Sequence, residues 1–218
     1  MTQRMSNLMG VITGIGAPFQ RDNVDAMTIA PRTAAEKGGA KTQGGPETVG
    51  PEALFAHLRF ADDGSERPDF VLNRPEFSQA KFLIARRSFG CGSAREHAVW
   101  ALTNFGIRCV IAESFGPLFY GNCFKNGLLP VMLPLAEVTR LAEEASAGGA
   151  LAMFSADIPR QQITTPAGRI VAFELPAFRL KQLVEGLDEI ELSLRVVDKI
   201  TAFHAAARKA RPWVYRQT

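Results

Sequence analysis

The stretch from residue 81 to residue 147 constrains the fold most, because short apolar runs alternate there with segments of helical periodicity. The apolar runs are typical of buried strands, and the segments between them repeat apolar residues at spacings of three and four, which predicts helices. The predicted strands are 81–85, 108–112 and 129–133, and the predicted helices are 94–105, 115–125 and 135–147. Because such alternation is typical of parallel pairing, this stretch predicts an α/β core.

Outside this core the sequence predicts one more strand near the N-terminus, a β-hairpin around Pro166-Ala167-Gly168 and two closing helices. These elements are the strand 10–14, the hairpin strands 162–165 and 169–173, and the helices 178–185 and 194–209. No clear boundary separates them from the core, so we predict a single domain over residues 1–218. A mobile loop is predicted at 32–51, where Gly, Lys, Thr and Ala dominate.

Charge and cysteine content narrow the classes of partner. The 218 residues carry a net charge of +3 without a block of Lys or Arg, so we expect no nucleic-acid partner. No run approaches the roughly 20 apolar residues of a membrane span, and the N-terminal residues do not fit a secretory signal, so no membrane association is expected. The widely spaced Cys91, Cys109 and Cys123 are typical of reduced thiols in the cytoplasm, and they predict no metal site in this chain.

The loop from Gly90 to Arg95 lies between a predicted strand and a predicted helix, and it is the main candidate for a functional site. Its two glycines let a ligand approach the backbone closely, and the N–H groups at a helix start attract a carboxylate or phosphate. Arg95 adds a planar group that binds a carboxylate through two hydrogen bonds. The Ser93 hydroxyl, once deprotonated, is stabilised by the same donors and could act as a base.

The same residues also have a purely structural interpretation. The spacing from Ser93 to Glu96 fits a capping box, in which Ser93 is the N-cap residue and Glu96 bonds back to the Ser93 amide. The residues alone leave both interpretations open. A dinucleotide-binding loop is not predicted, because Arg95 stands where the third small residue is expected. Tyr120-Gly121-Asn122 and Asn126-Gly127 fit turn chemistry and helix termination.

Residues 89–98 read Phe-Gly-Cys-Gly-Ser-Ala-Arg-Glu-His-Ala, and with Trp100-Ala-Leu102 they closely resemble the active-site loop of the aconitase superfamily. Further matches follow in a consistent order. They lie at Pro68 to Asn73, Tyr120 to Asn122 and Asn126 to Val131, and more weakly at Asn23 to Asp25, Pro31 and Gly186 to Asp188. Together they cover most of the chain and are most similar to the small subunits of 3-isopropylmalate dehydratase.

The resemblance implies a fold and a reaction. The fold is a swivelling β/β/α domain, with a parallel-strand core and a hairpin plus helices at the C-terminal end. The reaction is the isomerisation of 2-isopropylmalate and 3-isopropylmalate in leucine biosynthesis by a heteromeric hydro-lyase, through dehydration and rehydration. The cofactor is a [4Fe–4S] cluster on a large partner subunit, and this chain binds none. The substrate is a small hydroxy acid.

The resemblance also assigns residues. It implies that Ser93 is the catalytic base and that Arg95 binds a substrate carboxylate. Gly92 and Arg32 are further candidate substrate-binding residues, because the loop and the segment after Pro31 border the substrate in the family. Glu96 and His97 are expected to support the loop.

Two departures from the family pattern leave other substrates open. Ala94 stands where a second serine is usual, and Ala26 and Met27 replace a threonine and an aspartate. The alternatives are a related dehydratase for another 2-hydroxy di- or tri-acid, such as methylmalate/citraconate or homoaconitate, or a non-catalytic paralogue that only binds a partner. The presence of Ser93 and Arg95 argues against the last alternative.

Overall fold

A seven-stranded β-sheet lies at the centre of the computed structural model, which describes residues 10–31, 45–185 and 189–215. Its strands are β1 (Val11–Pro18), β2 (Phe82–Ile84), β3 (Cys109–Ala112), β4 (Leu129–Met132), β5 (Met153–Asp157), β6 (Gln162–Thr164) and β7 (Ile170–Ala172). Across the sheet they lie in the order β4-β3-β2-β1-β5-β6-β7. Strand β1 therefore joins a half formed by β2 to β4 to a half formed by β5 to β7.

The half of the sheet from β1 to β4 is parallel, which confirms the α/β core. Every residue of β2 and β3 is buried, because a parallel sheet is covered on both faces. Successive side chains of a strand point to opposite faces, so Phe82 and Ile84 join one apolar core cluster and Leu83 joins the other. These three core strands lie within one residue of their predicted bounds.

The other half of the sheet, in which β1 is followed by β5, β6 and β7, is antiparallel. Residues 11–15 of β1 pair with residues 153–157 of β5, while residues 16–18 of β1 pair with β2. The predicted hairpin is confirmed as β6 and β7, with Gly168 at positive φ in its turn. The predicted N-terminal strand is also confirmed as β1, although β1 extends four residues beyond the predicted end.

Helices cover the sheet on both faces. They are α1 (Ala26–Ile29), α2 (Ala56–Arg59), α3 (His97–Phe105), α4 (Pro117–Lys125), α5 (Leu135–Gly148), α6 (Ala177–Glu185), α7 (Glu189–Leu194) and α8 (Val197–Ala210). Short 3-10 helices lie at Pro46–Thr48, Pro51–Ala53, Val71–Asn73, Pro75–Phe77, Gly149–Leu151 and Pro212–Tyr215. The buried face of α3 packs into one core cluster, and that of α5 packs into the other.

The structure corrects two of the predicted helices. Helix α3 begins at His97, three residues later than the predicted start, and the helix predicted over 194–209 is divided between α7 and α8. Of the loop predicted over 32–51, residues 32–44 lie outside the described residues, and the Val49 side chain is buried in the core cluster that contains Leu83. Within the described ranges, every helix is too short or too polar to cross a membrane.

Candidate active site

Three connecting segments meet at the carboxyl ends of the parallel strands, where α/β sheets bind their ligands. They follow β1, β2 and β3, and backbone hydrogen bonds join them. The segment after β2 lies between the other two: the Gly90 N–H donates to the Val24 carbonyl at 2.7 Å, and the Phe89 N–H donates to the Ser114 carbonyl at 3.0 Å. The Ala26 N–H donates in turn to the Cys91 carbonyl at 2.9 Å. The loop predicted from the sequence is therefore held from both sides.

Two glycines allow the segments to approach this closely. Gly90 has a φ of +73°, and a Cβ atom there would lie 2.6 Å from two ring carbons of the buried Phe119. A Cβ atom on Gly116 would lie 2.5 Å from the Gly90 carbonyl oxygen and 2.8 Å from Cys91 Cα. The Gly116 N–H also donates to the Phe89 carbonyl at 2.8 Å. Any side chain at either position would push the two loops apart.

A cleft of about 350 Å³ opens beside these glycines. It is lined by residues 90–94 of the loop and by Gly116, Pro117 and Leu118 at the start of α4. Pro117 has no N–H and the Gly116 N–H is bound to the Phe89 carbonyl, so of these three helix residues only Leu118 could offer a backbone N–H to a ligand. The sequence reasoning missed this wall, although Gly116-Pro117 is a typical helix start. A cleft of about 370 Å³ at the opposite ends of β1 and β2 contains no predicted site residue.

Ser93 and Gly92 line the cleft, but the capping box predicted for Ser93 and Glu96 is wrong. Residues 93–95 form neither helix nor strand, and Glu96 is the N-cap residue of α3 without a side-chain bond to the helix. Ser93 Oγ instead accepts a hydrogen bond from the Arg95 N–H at 3.2 Å. Gly92, with a φ of +81°, turns the chain before this segment, so the helix starts later than local spacing suggests.

The Arg95 side chain is not among the groups that line the cleft; it lies against α1. Its Nη1 contacts Met27 Sδ at 3.5 Å. Met27 stands where the family pattern has an aspartate, and a thioether sulfur is uncharged and only a weak acceptor. Within the described residues, the guanidinium of Arg95 forms no ion pair, so its charge is not neutralised by a neighbouring carboxylate.

Helix α4 holds the loop through two asparagines. The Asn122 Nδ2 donates to the Ala94 carbonyl at 3.0 Å, and the Asn126 Nδ2 contacts Glu96 Oε1 at 3.3 Å. The Asn126 Oδ1 accepts from the Trp100 Nε1 at 2.8 Å. Asn126 is the C-cap residue of α4 and is followed by Gly127 at positive φ, which confirms helix termination there. Asn122 lies inside α4, so the turn predicted there is wrong, and the sequence reasoning missed both contacts.

His97 lies at the start of α3, with its ring 4.8 Å from that of Trp100. Burial, and next to it the charge of Arg95, lower the pKa of His97 below its usual value, while Glu96 raises it. Its Nδ1 atom is buried and has no hydrogen-bond partner among the residues that the structure describes. These observations favour a neutral imidazole that packs against Trp100.

The three cysteines, all of them within the described residues, do not fit a metal cluster. Cys109 and Cys123 are fully buried, and burial raises the pKa of both thiols, which disfavours the thiolate that binds metal. Cys91 is partly exposed at the cleft and has no second cysteine beside it there. The described ranges contain no group of three His, Cys, Asp or Glu residues arranged to hold a metal ion. Arg32, the remaining predicted site residue, lies outside the described residues.

Comparison with known proteins identifies the family of the chain. Residues 11–136 match the aconitase C-terminal domain family. The chain is 49% identical to the 3-isopropylmalate dehydratase small subunit of Jannaschia sp. (strain CCS1) and 47% identical to that of Dinoroseobacter shibae, in each case over 93% of this chain and 97% of the relative. The corresponding small subunit of Paramagnetospirillum magneticum is 44% identical over the same shares.

A solved structure has the same fold. The crystal structure of 3-isopropylmalate dehydratase from Methanocaldococcus jannaschii superposes with a TM-score of 0.61 at 23% sequence identity, covering 88% of this chain and 99% of that one. This likeness supports the swivelling-domain architecture. Together with the near full-length identity to the named relatives, it shows that the chain belongs to the 3-isopropylmalate dehydratase small-subunit family of the aconitase superfamily.

Proposed function

We propose that this chain is the small subunit of a hydro-lyase that interconverts 2-isopropylmalate and 3-isopropylmalate in leucine biosynthesis. The observation that carries the proposal is the identity of 44 to 49% to named small subunits over almost the whole of both chains. The cleft at the carboxyl ends of the parallel strands supplies a site of suitable chemistry.

Ser93 is the proposed base. It would remove the proton from the carbon beside a substrate carboxylate while the C–O bond on the neighbouring carbon breaks, which gives an alkene. The departing hydroxide takes up a proton from solvent to become water, and the proton held by Ser93 is returned when water is added again. Readdition of water in the other orientation then moves the hydroxyl group. A serine is a weak base unless its alkoxide is stabilised, and a hydrogen bond to the charged form does this. The Arg95 N–H, 3.2 Å from Ser93 Oγ, is such a donor.

Arg95 is the proposed carboxylate-binding residue. Its guanidinium has no carboxylate partner among the described residues and contacts only the uncharged Met27 sulfur, so it is available to pair with one carboxylate of a di-acid. Gly92 is the proposed point of closest approach of the substrate to the backbone, because it lines the cleft and has no side chain. Arg32 is proposed as a further contact from the segment after Pro31.

Glu96 and His97 are proposed as structural supports of the loop. Glu96 binds Asn126, and His97 packs on Trp100, so neither is directed at the reacting atoms in this arrangement. The free thiols of all three cysteines fit a reducing compartment, and we place the protein in the cytoplasm.

The partner is proposed to be a large subunit that holds a [4Fe–4S] cluster. The printed names of the relatives are those of a small subunit, and the cysteines of this chain do not fit a cluster. The cleft supports a shared site because it is open: Leu118 on its rim is 60% exposed. A small hydroxy acid enclosed on this side alone would remain in contact with water.

The test is to co-express the chain with the large subunit of the same organism and to purify the complex without oxygen. Consumption of isopropylmaleate, followed as loss of alkene absorbance, is the expected result. Citraconate and the homoaconitate alkene are assayed in parallel as the competing substrates. Faster turnover of either one would reassign the substrate, and an assembled, cluster-loaded complex that turns over none of the three would refute the enzymatic role.

A further inference from the structure

Helix α4 contacts the candidate site at two places. Its first residues form one wall of the cleft, and its last turn reaches the segment Ser93 to Glu96 through Asn122 and Asn126. These two asparagines are four residues apart, which places them on the same face of a helix. One helix therefore both bounds the cleft and holds the residues beside it.

The segment Ser93 to Glu96 depends on such outside support. It lies between the last bridge of the loop, at Cys91, and the first turn of α3, and it has no regular secondary structure of its own. Within it, the Arg95 N–H bonds to Ser93 Oγ. The Ala94 carbonyl between these two residues is bound by Asn122, and the next side chain along, Glu96, is bound by Asn126.

The orientation of the Asn126 amide follows from its neighbours. The Trp100 indole N–H can only donate, so it must face the amide oxygen at 2.8 Å. The amide nitrogen is then directed at two acceptors, Glu96 Oε1 and the Asn122 carbonyl, the latter at 2.9 Å. Asn126 is only 7% exposed, and a buried amide with partners at both ends is a rigid connection.

We propose that Asn122 and Asn126 are positioning residues that fix the segment carrying Ser93 and Arg95, so that the base and the carboxylate-binding group keep their relative placement. Neither asparagine needs to touch the substrate. This inference rests on the proposed function for its catalytic consequence, but the restraint on the segment is a property of the chain itself.

The variants are Asn122→Ala, which removes the bond to the Ala94 carbonyl, and Asn126→Asp, which keeps the shape and the Trp100 contact but removes the donor to Glu96. Asn73→Ala is the matched control. The Asn73 amide also makes three hydrogen bonds, with Arg59 and Arg67, and it does not line the cleft. Asn122→Ala and Asn73→Ala both lose amide contacts at partly exposed positions, so a comparable loss of stability is expected in these two. Asn126→Asp also places a carboxylate beside Glu96, so its loss of stability is expected to be larger.

The first measurement is hydrogen–deuterium exchange over residues 91–99 in the purified chain. Exchange in this segment should rise in Asn122→Ala and Asn126→Asp and stay at the wild-type level in Asn73→Ala. Equal exchange in all four proteins would overturn the restraint, whatever the enzyme does.

The second measurement is steady-state kinetics of the assembled complex. A displacement of about 1 Å costs up to roughly 100-fold in rate, so kcat should fall by about tenfold to 100-fold in Asn122→Ala and Asn126→Asp, and KM should change less than kcat. In Asn73→Ala kcat should stay at the wild-type level. If the wild-type complex is active and both Asn122→Ala and Asn126→Asp keep its full kcat, the positioning role is overturned. An inactive wild-type complex would instead count against the proposed function, and the exchange result would still decide the restraint.

Discussion

Replacement of Gly90 by alanine is expected to destabilise the chain through two separable terms. The first is the backbone: at a φ of +73° an L-residue is disfavoured by about 1–2 kcal/mol. The second is packing, because the new Cβ would lie 2.6 Å from Cδ1 and Cδ2 of Phe119, whose side chain is 1% exposed. Overpacking of this kind costs about 1–3 kcal/mol. Together they predict a loss of about 2–5 kcal/mol in the free energy of unfolding.

A matched glycine separates the two terms. Gly168 has a φ of +77°, and a Cβ atom there would meet nothing within 4 Å, so Gly168→Ala should cost only the backbone term of about 1–2 kcal/mol. Urea denaturation of both variants gives the difference. A Gly90→Ala/Phe119→Leu double variant should recover part of the packing term. If Gly90→Ala costs no more than Gly168→Ala, the close approach between the loop and α4 is wrong.

Three further predictions concern single residues of the site. Ser93→Ala should lower kcat of the assembled complex by about 100-fold to 10,000-fold with an unchanged melting temperature; full activity would exclude Ser93 as the base. In Met27→Asp the new carboxylate should pair with Arg95 and raise KM by up to roughly fivefold, since an exposed ion pair contributes at most about 1 kcal/mol. Met27→Leu is the control and should leave KM unchanged. Equal KM values in the two variants would contradict the assignment of Arg95 as an unpaired group that binds the substrate carboxylate. The pKa of His97 is lower in the folded chain than its usual value of 6.5. As pH falls from 6.5 towards the folded pKa, the unfolded chain therefore binds more protons than the folded chain, and the folded state loses stability in this pH range. His97→Gln should flatten this part of the stability–pH curve, and an unchanged slope would show that His97 does not cause it.

The parallel core was predictable because its signals are local. A run such as Phe82 to Ile84 is apolar throughout when both faces of a sheet are covered, and amphipathic spacing marks the helices between the strands. The antiparallel pairing of β1 with β5 has no such signal, since it joins residues about 140 positions apart and its register depends on the assembled core. Strand β5 was not predicted either, because it is short and its residues are of mixed polarity.

At the site, too, local sequence patterns were predictive and contacts between distant residues were not. Glycines 90 and 92 predicted a loop with backbone close to a ligand, and the cleft lies there. The spacing from Ser93 to Glu96 predicted a capping box because that motif is defined by four consecutive residues. The structure assigns the Glu96 carboxylate to Asn126, thirty residues along the chain, and this distant donor competes successfully with the local one. Helix starts near a functional loop are therefore poor places to rely on spacing alone.

The two departures from the family pattern have different consequences once they are placed in the structure. Ala94 is exposed at the cleft wall, and it is the carbonyl of this residue, not its side chain, that Asn122 binds. The absent hydroxyl therefore changes the polarity of the cleft and leaves the backbone restraint intact. Met27 instead changes the charge beside Arg95, because its sulfur is neutral and stands where the aspartate of the family pattern would pair with the guanidinium. Since specificity depends on the polar groups that a site leaves unpaired, we expect position 27 to influence how strongly Arg95 binds a substrate carboxylate and position 94 to influence the polarity of the cleft beside it.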